Sequence, residues 1–538
     1  MKRLFLIFTA GTALWTAACG GGNGFVNPPP PVGKYSTASL KGQYVFVTNG
    51  EVFSVGAINA TPLARTGVFN ADGQGNITAG VEDVNADGTI TLALQISGGS
   101  YTVNADGRGA LTLNITANGT TSSIDFGIVL TSTSDGLLID ETSNSNQAST
   151  GSGNFVLQTG GPFTVGSVAG PYIFDFAGLD GNQTNLCPCP ESFVGQFDVN
   201  SAGTISTGFF DDNDDFLLSS GAVVGNFAQD NLNPSFPIST TGRGVAQIAG
   251  QDFVFYIVDA MRVRFISTNR GMLSGDAVAQ SNTVPAQVSS ISSSFAFIVA
   301  GSSGSGGVTR VGRFTSNGAT VTNVLQDTND AGRFIPTNST TTASISLDPA
   351  TPGRGTFTFT DPNFTNAPSK YVFYLSSATQ GVLQEQTSNN SGVVNVADGS
   401  ITAQTGSPFS SANIVGTYAF NWSGLSLQNG GSFAVQDEED IVGQATVSSL
   451  SLSGAADIFQ FQSVAPVFDL VASGAISIAG DGTSSTGSSS RLTMSVKLVK
   501  SNSTTVNFVV YFVNPQLAFF ANNQDPNRIV AGIMKAQQ

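Results

Sequence analysis

Across residues 40–159, apolar side chains recur at every second position in short runs, as in Tyr44 and Phe46, Leu111 and Leu113, and Ile128 and Leu130. Period two puts side chains on one face of a pleated strand. The runs are interrupted by NADG at 70–73, 85–88 and 104–107. Asp-Gly takes up the positive φ of tight turns at little cost, so each copy is expected to reverse a strand. The pattern predicts about eight strands in this stretch, starting near Tyr44, Thr66, Asn76, Tyr101, Ala110, Ile124, Leu137 and Gly153. Short connections between neighbours favour an up-and-down barrel, which leaves no open edge. The alternative is an immunoglobulin-like sandwich, which needs long crossovers between its sheets.

The same pattern returns three times. Opening aromatics fall at Tyr44, Tyr172, Phe295 and Tyr418, intervals of 128, 123 and 123 residues. Such self-similarity is the mark of tandem units. The chain therefore reads as all-β, with four antiparallel domains of about 120 residues each, at 40–160, 168–281, 288–406 and 413–538. QTGGPF at 158–163 and QTGSPF at 404–409 look like joints, where Pro stops a strand and Gly permits a bend.

Composition narrows the function. Only 10% of residues are charged, the net charge is −16, and no stretch gathers Lys and Arg into a patch, which argues against nucleic acid as a partner. Histidine is absent, removing imidazole acid–base chemistry, His-activated nucleophiles and imidazole metal sites. The expectation is a protein that is not an enzyme and carries no cofactor or metal.

Residues 1–19, MKRLFLIFTAGTALWTAAC, have the charged start, short apolar core and small-residue end of a secretory signal. Thr16, Ala17, Ala18 and Cys19 resemble the lipobox of bacterial lipoproteins, with Thr16 where that family usually has Leu. The resemblance implies a signal peptide at 1–18, lipid attachment at Cys19 and sorting to the outer membrane; cleavage after Ala18 as an ordinary signal, giving a secreted protein, is the alternative. Residues 19–39 contain glycines and Pro28 to Pro31, a linker that would hold the first domain away from its anchor.

Four features could carry chemistry. Asp83-Val-Asn85-Ala-Asp87-Gly88 has the opening of a calcium loop, echoed by Asp211 to Asp215 and by Asp327, Asn329 and Asp330, but Leu94 stands where a bidentate Glu is needed; Asx turns explain it as well. Gly-Arg-Gly recurs around Arg108, Arg243 and Arg354, with Ser490-Arg491 in the last copy. Each arginine could grip an anion, or pair with a local acid or aromatic. Cys187 and Cys189 could form a small-ring disulfide or remain thiols. Glycosidase-type carboxylates have adjacent candidates in Glu82 and Asp83 or Asp140 and Glu141, which as strand neighbours point to opposite faces. The aromatic runs FVFY, YVFY and FVVYF could line a cavity or fill a core.

With its G-x-Y-x-F openings, DG-x-G-x-I turns and G-R-G hairpins, the chain from about Leu40 to Gln538 resembles tandem β-repeat lipoproteins of soil bacteria. That resemblance implies an exported surface protein and brings no catalytic residues. The resulting expectation is a lipid-anchored, cell-envelope structural or binding module of the adhesion type, with a cell-surface protein or glycan as partner. The rivals are a carrier of small apolar ligands inside its barrels and a carbohydrate-active enzyme.

Overall fold

The computed structural model describes residues 33–538, apart from 55–59, 118, 145, 181–188, 270, 282, 305, 337–342, 361–367, 389–393, 427–437, 462, 464, 479–490 and 500–502. The signal segment, Cys19 and Cys187 lie outside the described residues. Cys189 opens a strand, is buried and is disulfide-bonded.

The first domain is a closed antiparallel barrel of β1 (Lys41–Ser54), β2 (Thr61–Asp72), β3 (Asn76–Ala86), β4 (Thr89–Val103), β5 (Arg108–Ala117), β6 (Thr120–Leu130), β7 (Asp135–Asp140) and β8 (Gln147–Leu157). Each strand pairs with its neighbours in sequence and β1 pairs with β8, so no crossover exists and the sandwich alternative fails. All three NADG segments reverse the chain, ending β2, β3 and β4. At the second, Asp87 and Gly88 both take positive φ, as the turn requires.

The fourth domain, from Gly416–Ser426 to Arg528–Ala536, is likewise a closed eight-stranded barrel. The second and third keep the same order but are open nine-stranded sheets, each cut where β4 lies in the first. β4 explains why. It passes Gly98 and Gly99, and at Gly99 a side chain is excluded because a Cβ there would stand 2.0 Å from the Thr112 carbonyl oxygen. In the second domain the matching strand is two pieces, Leu217–Ala222 and Gly225–Ala228, with Gly225 equally pressed against Gln247. These glycines interrupt the alternation, so the first half of β4 escaped the sequence pattern.

Apolar side chains fill most inward positions of all four domains: Tyr44, Phe46, Phe69, Phe126 and Phe155 in the first; Phe174, Phe193, Phe253 and Phe265 around Phe176 in the second; Phe297, Phe314, Phe357 and Tyr371 in the third; and Trp422, Phe508 and Phe520 in the fourth. One packing detail recurs four times. The phenylalanine of each opening strand faces a glycine on the next, Phe46 to Gly67, Phe174 to Gly195, Phe297 to Gly312 and Phe420 to Gly443. A Cβ at these glycines would meet the ring at 2.5–2.7 Å. Burying the ring there demands glycine, and the pair fixes which positions correspond between domains.

The four domains close into a ring. The outer face of strands one to three in each domain packs on strands six to eight of the next, and that face of the fourth domain packs on β6, β7 and β8 of the first. The joints are apolar at their centres: Val45, Val68 and Val81 against Val254 and Ile266; Ile173 and Val194 against Val372; Ala296 and Val311 against Val509 and Phe519; Ala419 and Val442 against Val129, Leu137 and Ile139. The glutamine after each domain's last strand donates to the following domain, Gln158 to the Ile257 carbonyl, Gln280 to Leu375, Gln404 to Phe512 and Gln537 to Leu130. Tyr35 near the start donates to the Gln538 carbonyl at 2.9 Å.

Candidate functional site

The residues that looked like calcium ligands and anion grips in the sequence meet each other across the joints. Asp83, on the outer face of β3, receives Arg243 of the second domain through Nε and Nη2, both at 2.8 Å, and the Tyr256 hydroxyl at 2.5 Å. Asp211 holds Arg354 at 2.7 and 2.8 Å and the Tyr374 hydroxyl. Asp327 holds Arg491 and the Tyr511 hydroxyl. Two positions on, Asn85 donates to the carbonyls of Ser267 and Gly271, Asn213 to that of Asn395, and Asn329 to that of Arg528. Alternation accounts for the tyrosines: Phe253, Phe255, Tyr371 and Phe373 point inward, and Tyr256 and Tyr374 point out to the joint.

This arrangement consumes the acids. Both oxygens of Asp83 are bonded, Oδ1 also accepting the Ala93 amide. Arg243 is fully buried; burial opposes its charge, and the bonds it donates to Asp83, with Tyr256 and Asp230 beside it, outweigh that and raise its pKa. Burial first, and then the neighbouring Asp83 charge, push the Tyr256 hydroxyl up, so it stays protonated and donates. Among the described residues no group of three or more Cys, Asp and Glu could hold a metal ion. The Gly-Arg-Gly hairpins thus pair with an acid, in the domain before their own, and Arg354 also lies over the Phe209 ring at 4.9 Å.

A different cluster opens to a cavity. At the end of the first barrel where β2 begins, a chamber of about 320 Å³ is lined by Arg65, Glu82, Val84, Leu94, Ile115 and Ile124, among others. Arg65 and Glu82 share the inward parity of Gly67, one step from it on facing strands. Arg65 Nη1 donates to Glu82 Oε1 at 3.3 Å and its Nε lies 3.5 Å from Asp140 Oδ2. Glu82 has no exposed surface, and burial pushes its carboxyl up to about 7, Arg65 opposing and Asp140 and Asp83 adding to the rise. Burial likewise raises Asp140, whose oxygens accept the Thr142 amide and the Ser149 hydroxyl, each at 2.9 Å.

Strand alternation separates the sequence-adjacent pairs as expected: Asp83 faces the joint while Glu82 faces the barrel, and Glu141 lies outside against Gly127 while Asp140 lies within. Glu82 and Asp140, 58 positions apart, are the acids brought together, around Arg65. Sequence reading passed over Arg65. Its signal was parity, a charged residue in register with Leu63 and Phe69 on a strand whose inward positions are otherwise apolar or glycine.

No family model matches the chain and no curated protein matches its sequence. Among solved structures it is similar to transferrin binding protein B from Haemophilus parasuis, at 11% identity and a TM-score of 0.20, covering 95% of this chain and 98% of that one. The isotype 1 transferrin binding protein B of serogroup B Neisseria meningitidis is 10% identical with a TM-score of 0.19, covering 75% of this chain and 83% of that one. Neither likeness bears on what this chain binds.

Proposed function

We propose that the chain is an exported cell-envelope protein, tethered through a lipidated Cys19, that serves as a rigid structural or binding module toward a cell-surface protein or glycan. The observation that supports it best is ring closure. Four domains with apolar cores, joined by ion pairs and apolar contacts, form a platform whose relative domain positions are fixed. A fixed platform can offer several surfaces to one partner without an ordering penalty at binding. The signal-like segment and the lipobox resemblance at Thr16, Ala17, Ala18 and Cys19 support export and anchoring. A nonenzymatic role fits the absence of histidine and the engagement of the joint acids by arginine.

The test is intact mass of the chain from the membrane fraction of producing cells, beside Cys19→Ala. The expected result is a diacylglyceryl or triacyl adduct on a chain beginning at Cys19, lost with the substitution. An unmodified chain free in the medium would overturn the anchored reading.

A further inference from the structure

Corresponding positions in the four domains (barrels one to four, of which two and three are open at the fourth strand) isolate what is unusual about the first. The barrel-three counterpart of Arg65 is Arg310, that of Glu82 is Gln326, that of Asp140 is Glu385, and that of Phe126 is Tyr371, all set by register to Gly67 and Gly312. In barrel three the set is closed: Arg310 Nε donates to Glu385 at 2.8 Å, Arg310 Nη1 to Thr328 at 2.8 Å, and the Tyr371 hydroxyl to Gln326 Oε1 at 2.6 Å. Barrel two fills the same level with Phe193 and Phe210, and barrel four with Ile441 and Ala456.

Barrel one has a phenylalanine where barrel three has the donating tyrosine. Phe126 offers no hydroxyl, and Glu82 Oε2 has no hydrogen-bond partner among the described residues, although Glu82 has no exposed surface. A buried carboxylate oxygen without a donor is costly, because it has given up water and gained no bond in exchange. Glu82 is one of the residues that line the 320 Å³ chamber. The local charge is one guanidinium against two carboxyls, Glu82 and Asp140, with Asp140 satisfied from Thr142 and Ser149. Arg65 Nε also makes no hydrogen bond but is held in an ion pair 3.5 Å from Asp140 Oδ2, so the partner Glu82 Oε2 lacks is a donor, and the excess of acid over base selects a cationic one. The chamber wall is mixed, with an aliphatic side from Val84, Leu94, Ile115 and Ile124 beside the polar Thr91, Ser123 and Asn144.

We infer that the mouth of barrel one binds a small amphiphilic amine, its ammonium group donating to Glu82 Oε2 and its short apolar chain lying against Leu94, Ile115 and Ile124. The site does not depend on the tether, so it stands whether or not Cys19 carries lipid.

The experiment is calorimetric titration of n-hexylamine into the full chain carrying Cys19→Ala, with 1-hexanol and hexanoate as neutral and anionic probes. The expected result is one saturable site for hexylamine, weaker binding of hexanol and none of hexanoate. Glu82→Gln should weaken hexylamine at least tenfold; glutamine already occupies this level in barrel three, so the substitution is compatible with the fold. Phe126→Tyr, which supplies the internal donor that barrel three uses, should weaken it comparably while leaving Glu82 in place. Hexanoate binding as well as hexylamine, no saturable binding to the parent chain, or unchanged affinity in both variants would each overturn the site.

Discussion

The three joints between consecutive domains and the joint that closes the ring use the same positions with different chemistry. In the first three, a buried aspartate takes an arginine fork and a tyrosine hydroxyl, as with Asp83, Arg243 and Tyr256. At the closure, Val129 replaces the tyrosine and Phe459 the asparagine that follows the acid. Arg108 lies 3.8 Å from Asp457 and instead donates to Asp106 at 3.0 Å and to the exposed Asp469 at 2.8 Å. Apolar and aromatic contact carries more of the closure, with Phe53 against Phe459 and Phe461 at ring distances of 6.0 and 5.1 Å. Domains already held by three joints present the fourth pair of faces to each other at high local concentration. A weaker set of polar contacts then suffices to hold them.

Removing one partner of a buried ion pair leaves the other charge stranded, so Arg243→Ala should be the most damaging single change, lowering unfolding free energy by about 3–5 kcal/mol. Denaturant unfolding measures it, and a loss within that of a surface substitution would remove the contrast between joint types.

The two kinds of joint should also answer pH in opposite directions. At the first joint Asp230 is buried, but its bonds to Arg243 and Asn233 hold its pKa below the usual range, so it favours the folded state above about 3.8 and loses that as pH falls further. At the closure, burial pushes Asp440 up to about 7 and also raises Asp457, and burial with repulsion from Asp440 and Glu51 raises Glu438. An acid whose folded pKa is raised destabilises as pH climbs from its unfolded value to its folded one. Each pH unit of that interval is worth about 1.4 kcal/mol per such group. The closure should therefore tighten as pH falls from 7 toward 4, before the first joint weakens. Amide exchange in Asp135–Asp140 and Glu438–Ser448, corrected for intrinsic rates, should show protection rising over that range. Falling protection there would contradict the burial of these acids.

The smallest effect belongs to Arg108→Ala. Its shortest partner outside its own turn, Asp469, is 75% exposed, so about 1 kcal/mol or less is expected, shrinking further in high salt. A loss equal to that of Arg243→Ala would mean that Asp457 is the true partner.

Much of the architecture could be read from local order. Period-two runs, Asp-Gly turns and the recurrence of Tyr44, Tyr172, Phe295 and Tyr418 depend only on neighbours in sequence, and they yielded strands, hairpins and four domains. The QTG segments also signalled joints, because the glutamine lies at the end of a strand where one domain meets the next. The closed ring was not readable, since the partner of Asp83 lies 160 positions away and no local pattern encodes such a pairing. The same holds for Arg65, Glu82 and Asp140, which meet only when three strands bend around one barrel.

A head-to-tail contact that closes after four units also sets how many units there can be. Open arrays of repeats lengthen or shorten one module at a time, because each end presents a surface that another copy can cover. Here Gln537 already donates to the Leu130 carbonyl, and Gln538 accepts from Tyr35. Adding or deleting one module would turn the surfaces past one another and leave an acid, an arginine and an apolar face unmatched at the gap. Copy number in this protein is therefore a property of the angle at each joint, and a change in it would have to be accompanied by a change in that angle.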